Sequence, residues 1–311
     1  MNLQQLVTHH GQRPQHSVPD WMLGFWKRYS ISFANGLTDL HTHVCWLQSR
    51  NFTIDLRLPR EADQVPARAL RDYSAAELQV LANYEGWTAF SDWDGAQLSW
   101  RDTDITLQVH NRWPEAAFLR RTGNCMIEHC ASNAYVEDWR LQPSAPGLLA
   151  GLQLVEEREL ASGRVRHKGG ALIVCGDHAG LVLGRPEQPA GRGPLKHLVA
   201  EADGDGERLR ALFAFETSVA RREGADYAVL LSTRPDRIGA VLSSLDGFEW
   251  LADGRVRQRL RVDNVDVERL FIVDTLEEAI PFDQTTGFTD AAAAWYSREA
   301  ATLTRYTQPL T

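Results

Sequence analysis

In the stretch GNCMIEHCASNAYVEDWRLQP, residues 123–143, one carboxylate falls where an apolar side chain should lie. The stretch reads as two strands joined by a tight turn at Ser132 and Asn133. Side chains two apart share one face of a strand. Tyr135, Glu137, Trp139 and Leu141 therefore fall on one side, and Val136, Asp138 and Arg140 on the other. A face of Tyr, Trp and Leu is a burial face, and a carboxylate on it is costly unless it is paired, hydrogen-bonded or protonated. Three kinds of chemistry suit such a group. Glu137, or Glu128 on the preceding strand, could act as a general acid or base with a pKa raised by burial, as a cofactor-independent isomerase or cyclase needs. It could anchor a ligand. It could also hold a purely structural ion pair.

An arginine on a neighbouring strand would serve any of the three. In FTIDLRLP, residues 52–59, Asp55 and Arg57 share one face, while Ile54, Leu56 and Leu58 share the other. In the strand before it, Val44, Trp46 and Gln48 share a face, with His41, His43 and Cys45 opposite. We therefore expect Arg57 to point inward and to meet Glu137, or else Glu128, in a guanidinium–carboxylate pair. One reading makes that pair a structural closure. The other makes it the polar end of a cavity, with Gln48 and Asp55 beside it and Trp46, Tyr135 and Trp139 as apolar walls, since small barrels commonly hold one ligand in this way.

The cysteines and histidines offer less. His41, His43 and Cys45 could form the edge of a haem or metal site, but Cys125, His129 and Cys130 lack a closed zinc spacing, so no metal is assigned. Cys175 and His178 frame a turn and would need a third group from elsewhere to act as nucleophile and base. The chain has no G-x-S-x-G elbow, and no motif calls for a cofactor. Arg234-Pro235-Asp236 begins a turn that should leave Asp236 and Arg237 in solvent.

The elements that must position these residues are mostly strands at short spacing. Asn35-Gly36 and Asp94-Gly95 mark hairpins. Helices are expected at about 74–84, where Ser74 and Glu77 have the spacing of a capping box, at 195–202 and at 290–303. The run RLRALFAFETSVARR, 208–222, reads as a long strand. This order predicts an all-β chain of antiparallel barrels with a few peripheral helices. Residues 1–20, with His9, His10 and His16, read as a flexible lead; 21–157 as a first barrel half; 158–285 as a second; 286–311 as a C-terminal helix and tail. A single barrel of ten or more strands is the competing arrangement.

Composition narrows the partners. The 311 residues are 43% hydrophobic and 24% charged, the balance of a globular protein. A formal net charge of −8 disfavours nucleic acid and anionic membranes. No stretch approaches the roughly 18 apolar residues of a membrane span. The first residues lack the basic start and apolar run of a secretory signal, and four cysteines make no dense disulfide framework. The cytoplasm is the expected compartment. Exposed strand edges leave room for a homodimer.

Several stretches taken in order carry a resemblance: WLQS with IDLRLP, then Glu128-x-Cys130-x4-Tyr135-x-Glu137-x-Trp139, then ALIVCGDHAGLVLGRP, and finally FETSVARR, LLSTRPDRIG and DGFEW. Over residues 21–255 the chain resembles the fungal Hri-type proteins and their bacterial relatives. That resemblance implies a lipocalin-like fold of two β-barrel halves, with protein association suggested for the fungal members. The pattern departs at Cys130, where the family has Gly, and over TDITLQVHNRWP. From residues and resemblance together we expect a binding protein for a small apolar or amphipathic molecule, with a charged anchor inside a barrel. The alternatives are a protein-interaction module whose barrel is filled, and the isomerase or cyclase.

Overall fold

The computed structural model describes residues 1–189 and 193–308. Strands β1 (Gly24–Phe33), β3 (His43–Gln48), β4 (Phe52–Leu58), β5 (Glu85–Trp93), β6 (Gln97–Thr106), β7 (Ala117–Thr122), β8 (Cys125–Cys130) and β9 (Tyr135–Leu141) pair in antiparallel succession. β9 then pairs back onto β1, which closes an eight-stranded barrel. A two-residue strand, β2 (Thr38–Asp39), extends β1. The turns fall where the sequence places them, with Gly36 at φ +85° and Asn133 at φ +60°, in the left-handed region that such turns require. One seam is thin. β6 and β7 share two residue pairs, Gln97 with Phe118 and Leu98 with Ala117, and the connection 107–116 spans the gap beyond them.

The second sheet has eight strands in the order β14 (Asp226–Ser232), β13 (Glu216–Glu223), β12 (His178–Leu183), β11 (Val165–Cys175), β10 (Gly147–Glu159), β17 (Val265–Ile280), β16 (Val256–Val262), β15 (Phe248–Trp250). Among the described residues no strand pairing joins it to the barrel, so the chain is two assemblies and not one large barrel. One face of this sheet buries Leu152, Leu181 and Phe271, and the other packs Ile173, Val182 and Val219 against the barrel. Cover on both faces explains why β12, HAGLVL, is buried at every position.

Three expectations need correction. Residues 1–20 are not a loose lead. Helix α1 (Leu3–His10) carries a capping box between Asn2 and Gln5 and buries Leu3, Leu6 and Val7 inside the second half, while the ring of His10 stacks on Trp250 at 4.4 Å. The spacing i, i+3, i+4 is that of a helix face. Second, β10 belongs with β11 and β17, so the halves meet at 142–146 and not at 157. A strand's sequence carries its two faces but not its partner. Third, the start of 208–222 is helical: α4 (Gly206–Leu212) begins at Asp205, whose carboxylate accepts the N–H groups of Glu207 and Arg208. Helices α2 (Ala75–Leu81), α3 (Leu195–Glu201) and α5 (Asp290–Leu303) lie where expected.

The halves are locked along one face. Arg50 is fully buried and forks onto Glu277, with Nε to Oε1 at 2.7 Å and Nη2 to Oε2 at 2.9 Å, and its Nη1 reaches Asp20. Asp274 accepts from Ser49 Oγ and from the backbone and side chain of Asn51. A Cβ at Gly151 would overlap Ser49 Oγ, so glycine there sets how closely the halves approach.

Candidate functional site

Trp46, Asp55, Arg57, Glu128, Tyr135 and Trp139 converge on one void inside the barrel, together with Trp87, Trp100 and Trp113. Alternation along β3, β4 and β9 brings them there. Gln48 stands behind Trp46 and accepts its indole N–H at 3.0 Å. The void is about 20 Å3. That is room for one water and far below the roughly 300 Å3 of a small-molecule pocket. Aromatic rings fill the rest: Trp46 meets Trp139 edge to face at 5.6 Å, and the guanidinium of Arg57 lies 4.2 Å from the ring of Trp113.

The expected pair of Glu137 with Arg57 is not formed. Glu137 points inward as its strand face requires, but it takes Nη1 of Arg28 at 2.8 Å, while Nη2 of Arg28 holds Asp39 at 2.7 Å. Arg28 sits on β1, which pairs with β9, directly opposite Trp139, and a register shift between Arg28 and Ser30 brings it over Glu137. Arg57 instead binds Asp55, its neighbour along the same strand face, with Nε to Oδ1 at 2.9 Å. Its Nη1 and the indole Nε1 of Trp100 are buried with no hydrogen-bond partner among the described residues.

Glu128 lies directly across from Glu137 and accepts the Trp139 indole N–H at 3.0 Å. Burial first, and the facing Glu137 carboxylate second, push its pKa well above the ordinary 4.5. Burial raises the Asp55 pKa as well, against the pull of Arg57. A proton held on Glu128 suits acid–base chemistry, but a void of this size admits no organic substrate beside it.

The cysteines behave as apolar groups. Burial pushes the Cys45 thiol up to about 12 and raises that of Cys175, and it lowers the pKa of His178, whose Nε2 lies 3.0 Å from the Pro143 carbonyl oxygen. A high-pKa thiol beside a neutral imidazole is not an activated nucleophile. His41 is exposed and His43 half-buried on the barrel's outer face, and among the described residues no three His, Cys, Asp or Glu side chains gather as metal ligands. Phe118, Ile127 and Val136 leave an exposed apolar patch on the outer face of β7–β9.

A pocket larger than the barrel void lies in the second half, away from every residue the sequence put forward for ligand binding. At about 420 Å3, it is lined by Arg166, Arg234, Arg237, Arg261 and Arg269, by Glu157, Glu216, Asp236 and Asp263, and by apolar walls that include Leu181, Leu183 and Leu260. Nε of Arg269 donates to Glu157 at 2.8 Å, and Nε of Arg237 to Glu216 at 3.0 Å. Arg237 is therefore not solvated as expected. Its Nη2 also grips the Leu242 carbonyl, which pins the segment that forms one wall. Arg166 is loosely held. Its Nε is 3.4 Å from Glu157 and its Nη2 3.8 Å from Asp263, and its buried Nη1 has no hydrogen-bond partner among the described residues.

Comparison with known proteins adds no functional information: no protein-family model, curated protein or solved structure matches the chain.

Proposed function

We propose that the protein binds a small amphipathic anion, and that the binding half is the second one. The sequence led to an apolar or amphipathic ligand on a charged anchor inside a barrel. That reading is kept, and its anchor moves from Arg57 to the arginines of the second half. The observation that carries it is the buried, unpartnered Nη1 of Arg166 in a ready-formed pocket of about 420 Å3. Pockets that take small ligands are usually preformed, mostly apolar and fixed in orientation by a few polar groups. Guanidinium groups match carboxylates and phosphates with paired N–H donors. Leu181, Leu183 and Leu260 would take the ligand's apolar part.

Calorimetric titration with octanoate, and with octanol as its uncharged counterpart, tests this. Octanoate should bind and octanol should bind much more weakly. Arg166→Met should weaken octanoate at least about tenfold, which corresponds to about 1.4 kcal/mol. Equal affinity for acid and alcohol, or an Arg166→Met protein that binds octanoate like the wild type, would remove the anchor and with it the proposal.

A further inference from the structure

The geometry points to a second, gated site in the first barrel, where the indole of Trp113 occupies the place of a neutral planar heteroaromatic ligand that has an N–H on one edge and an acceptor on another. This inference rests on the first half alone and stands apart from the anion pocket.

Trp113 differs in origin from the other tryptophans around the void. Trp46, Trp87, Trp100 and Trp139 stand on β3, β5, β6 and β9, held by strand ladders. Trp113 comes from the connection 107–116, at the seam where β6 and β7 share two pairs. The ends of that connection are fixed. Leu107 N–H donates to the Gly86 carbonyl, and Arg185 donates to the carbonyl oxygens of Thr106 and Leu107. Residues 109–116 make no backbone–backbone hydrogen bond among the described residues. A segment with anchored ends and a middle held by side-chain bonds alone, here those of Arg112, Trp113 and Glu115, is the kind that opens locally.

What holds the flap shut is what a ligand would use. The Trp113 ring covers the Arg57 guanidinium at 4.2 Å, as in a cation–π contact. Its Nε1–H donates to Glu85 Oε2 at 3.0 Å, and its ring meets Tyr135 edge to face at 5.9 Å. Arg112 adds an ion pair to the other Glu85 oxygen at 2.8 Å. Yet the fit is incomplete. An indole has one polar atom, a donor, and beside it the donors Arg57 Nη1 and Trp100 Nε1 stay unpartnered. A ring that offers Glu85 an N–H and also offers these two donors an acceptor would satisfy more of the site than Trp113 does. The ligand should be uncharged. With Arg112 swung out, Asp55 and Glu85 oppose an anion, and Arg57 opposes a cation.

Benzimidazole, with one N–H and one ring-nitrogen acceptor, and indole, the same shape without the acceptor, separate the cases. At a pH where benzimidazole is neutral, Trp113→Gly should bind it at least tenfold more tightly than wild type does, and more tightly than it binds indole. Adding Arg57→Met, which leaves Trp100 Nε1 as the one remaining donor of the two, should reduce that preference. In wild-type protein labelled with 5-fluorotryptophan, benzimidazole should move the Trp113 fluorine resonance towards its solvent-exposed position. A Trp113→Gly protein that binds benzimidazole no better than wild type does, or no better than indole, overturns the inference. Should that variant fail to fold, the wild-type fluorine spectrum decides alone, and a Trp113 resonance unmoved at the solubility limit of benzimidazole sinks it.

Discussion

The two halves solve one problem, buried charge, in opposite ways. Inside the closed barrel, Asp55, Glu128 and Glu137 face Arg28 and Arg57, so carboxylates are in excess. A carboxyl can shed its charge by keeping a proton, and Glu128 is pushed that way. In the second half Arg166, Arg234, Arg237 and Arg269 face the buried Glu157 and Glu216, and Arg261, Asp236 and Asp263 stand at the rim, five guanidiniums to four carboxylates. A guanidinium cannot lose its proton in a protein, so its excess calls for an anion from outside. Closure follows the same division. Eight strands closed on themselves leave an interior that side chains just fill. The second sheet stops at β14 and β15, where α1 takes part of the space and an open pocket remains. The difference teaches that a buried ion pair marks a binding site where its charges do not cancel and the space is not filled.

The largest effect should come from the cancelled charges. Arg28→Met leaves Glu137, which is 2% exposed, without its partner and frees Asp39 as well, so urea denaturation should show a loss of about 3–5 kcal/mol. Glu137→Gln should cost less, because Arg28 keeps Asp39 and the amide oxygen still accepts from it. The double variant should recover part of the Arg28→Met loss. The same cycle between Arg57 and Glu137 should show much weaker coupling, since those two make no contact ion pair. A strong Arg57–Glu137 coupling with none for Arg28 would reverse the assignment of partners.

Much of the first site was legible because period-2 alternation names faces. It put Glu137 with Tyr135 and Trp139, Arg57 with Asp55, and Trp46 with Gln48. Alternation does not name neighbours, and so Arg57 was expected where Arg28 stands. Yet Arg28 shares its face with Trp26, which is paired to Trp46 across the barrel wall. The second pocket carried the same signal in a plainer context. Arg269 lies between Val267 and Phe271 on one strand face, and both of those are fully buried. It is a charge in an apolar row, as Glu137 is. Arg166, Arg234 and Arg237 gave no such sign, because β11 and a turn bring them together from distant parts of the chain. Trp113 was hidden for a different reason. It belongs to no strand, so no periodicity could aim it.

A smaller effect should separate the halves by pH. With the folded pKa of Glu128 raised, the native state holds a proton that the unfolded chain releases above about 4.5. Between that pH and the folded pKa the unfolded state binds fewer protons, so this group's contribution makes stability fall as pH rises, by at most about 1.4 kcal/mol per pH unit. Glu128→Gln keeps an acceptor for Trp139 and cannot ionise. Melting curves from pH 4 upward should therefore show the variant gaining on wild type as pH rises. A constant offset between the two would mean that Glu128 titrates like a free carboxyl and that the barrel's carboxylates are not in excess.

The smallest stability effect should come from the substitution that looks most like Arg28→Met. Arg166→Met also removes a largely buried guanidinium. Its contacts, however, are 3.4 and 3.8 Å ion pairs rather than close hydrogen bonds, and Glu157 keeps Arg269 at 2.8 Å after the change. The change also removes an Nη1 buried without a hydrogen-bond partner among the described residues, which relieves a desolvation cost. The loss of a cation 3.4 Å from Glu157 Oε1 partly offsets that gain, so urea stability should fall by much less than in Arg28→Met. Octanoate should then stabilise the wild type in proportion to the logarithm of its concentration and leave Arg166→Met nearly unmoved. A loss as large as that of Arg28→Met would make Arg166 a structural ion of the same kind, and the contrast between a filled half and a receptive one would lose its footing.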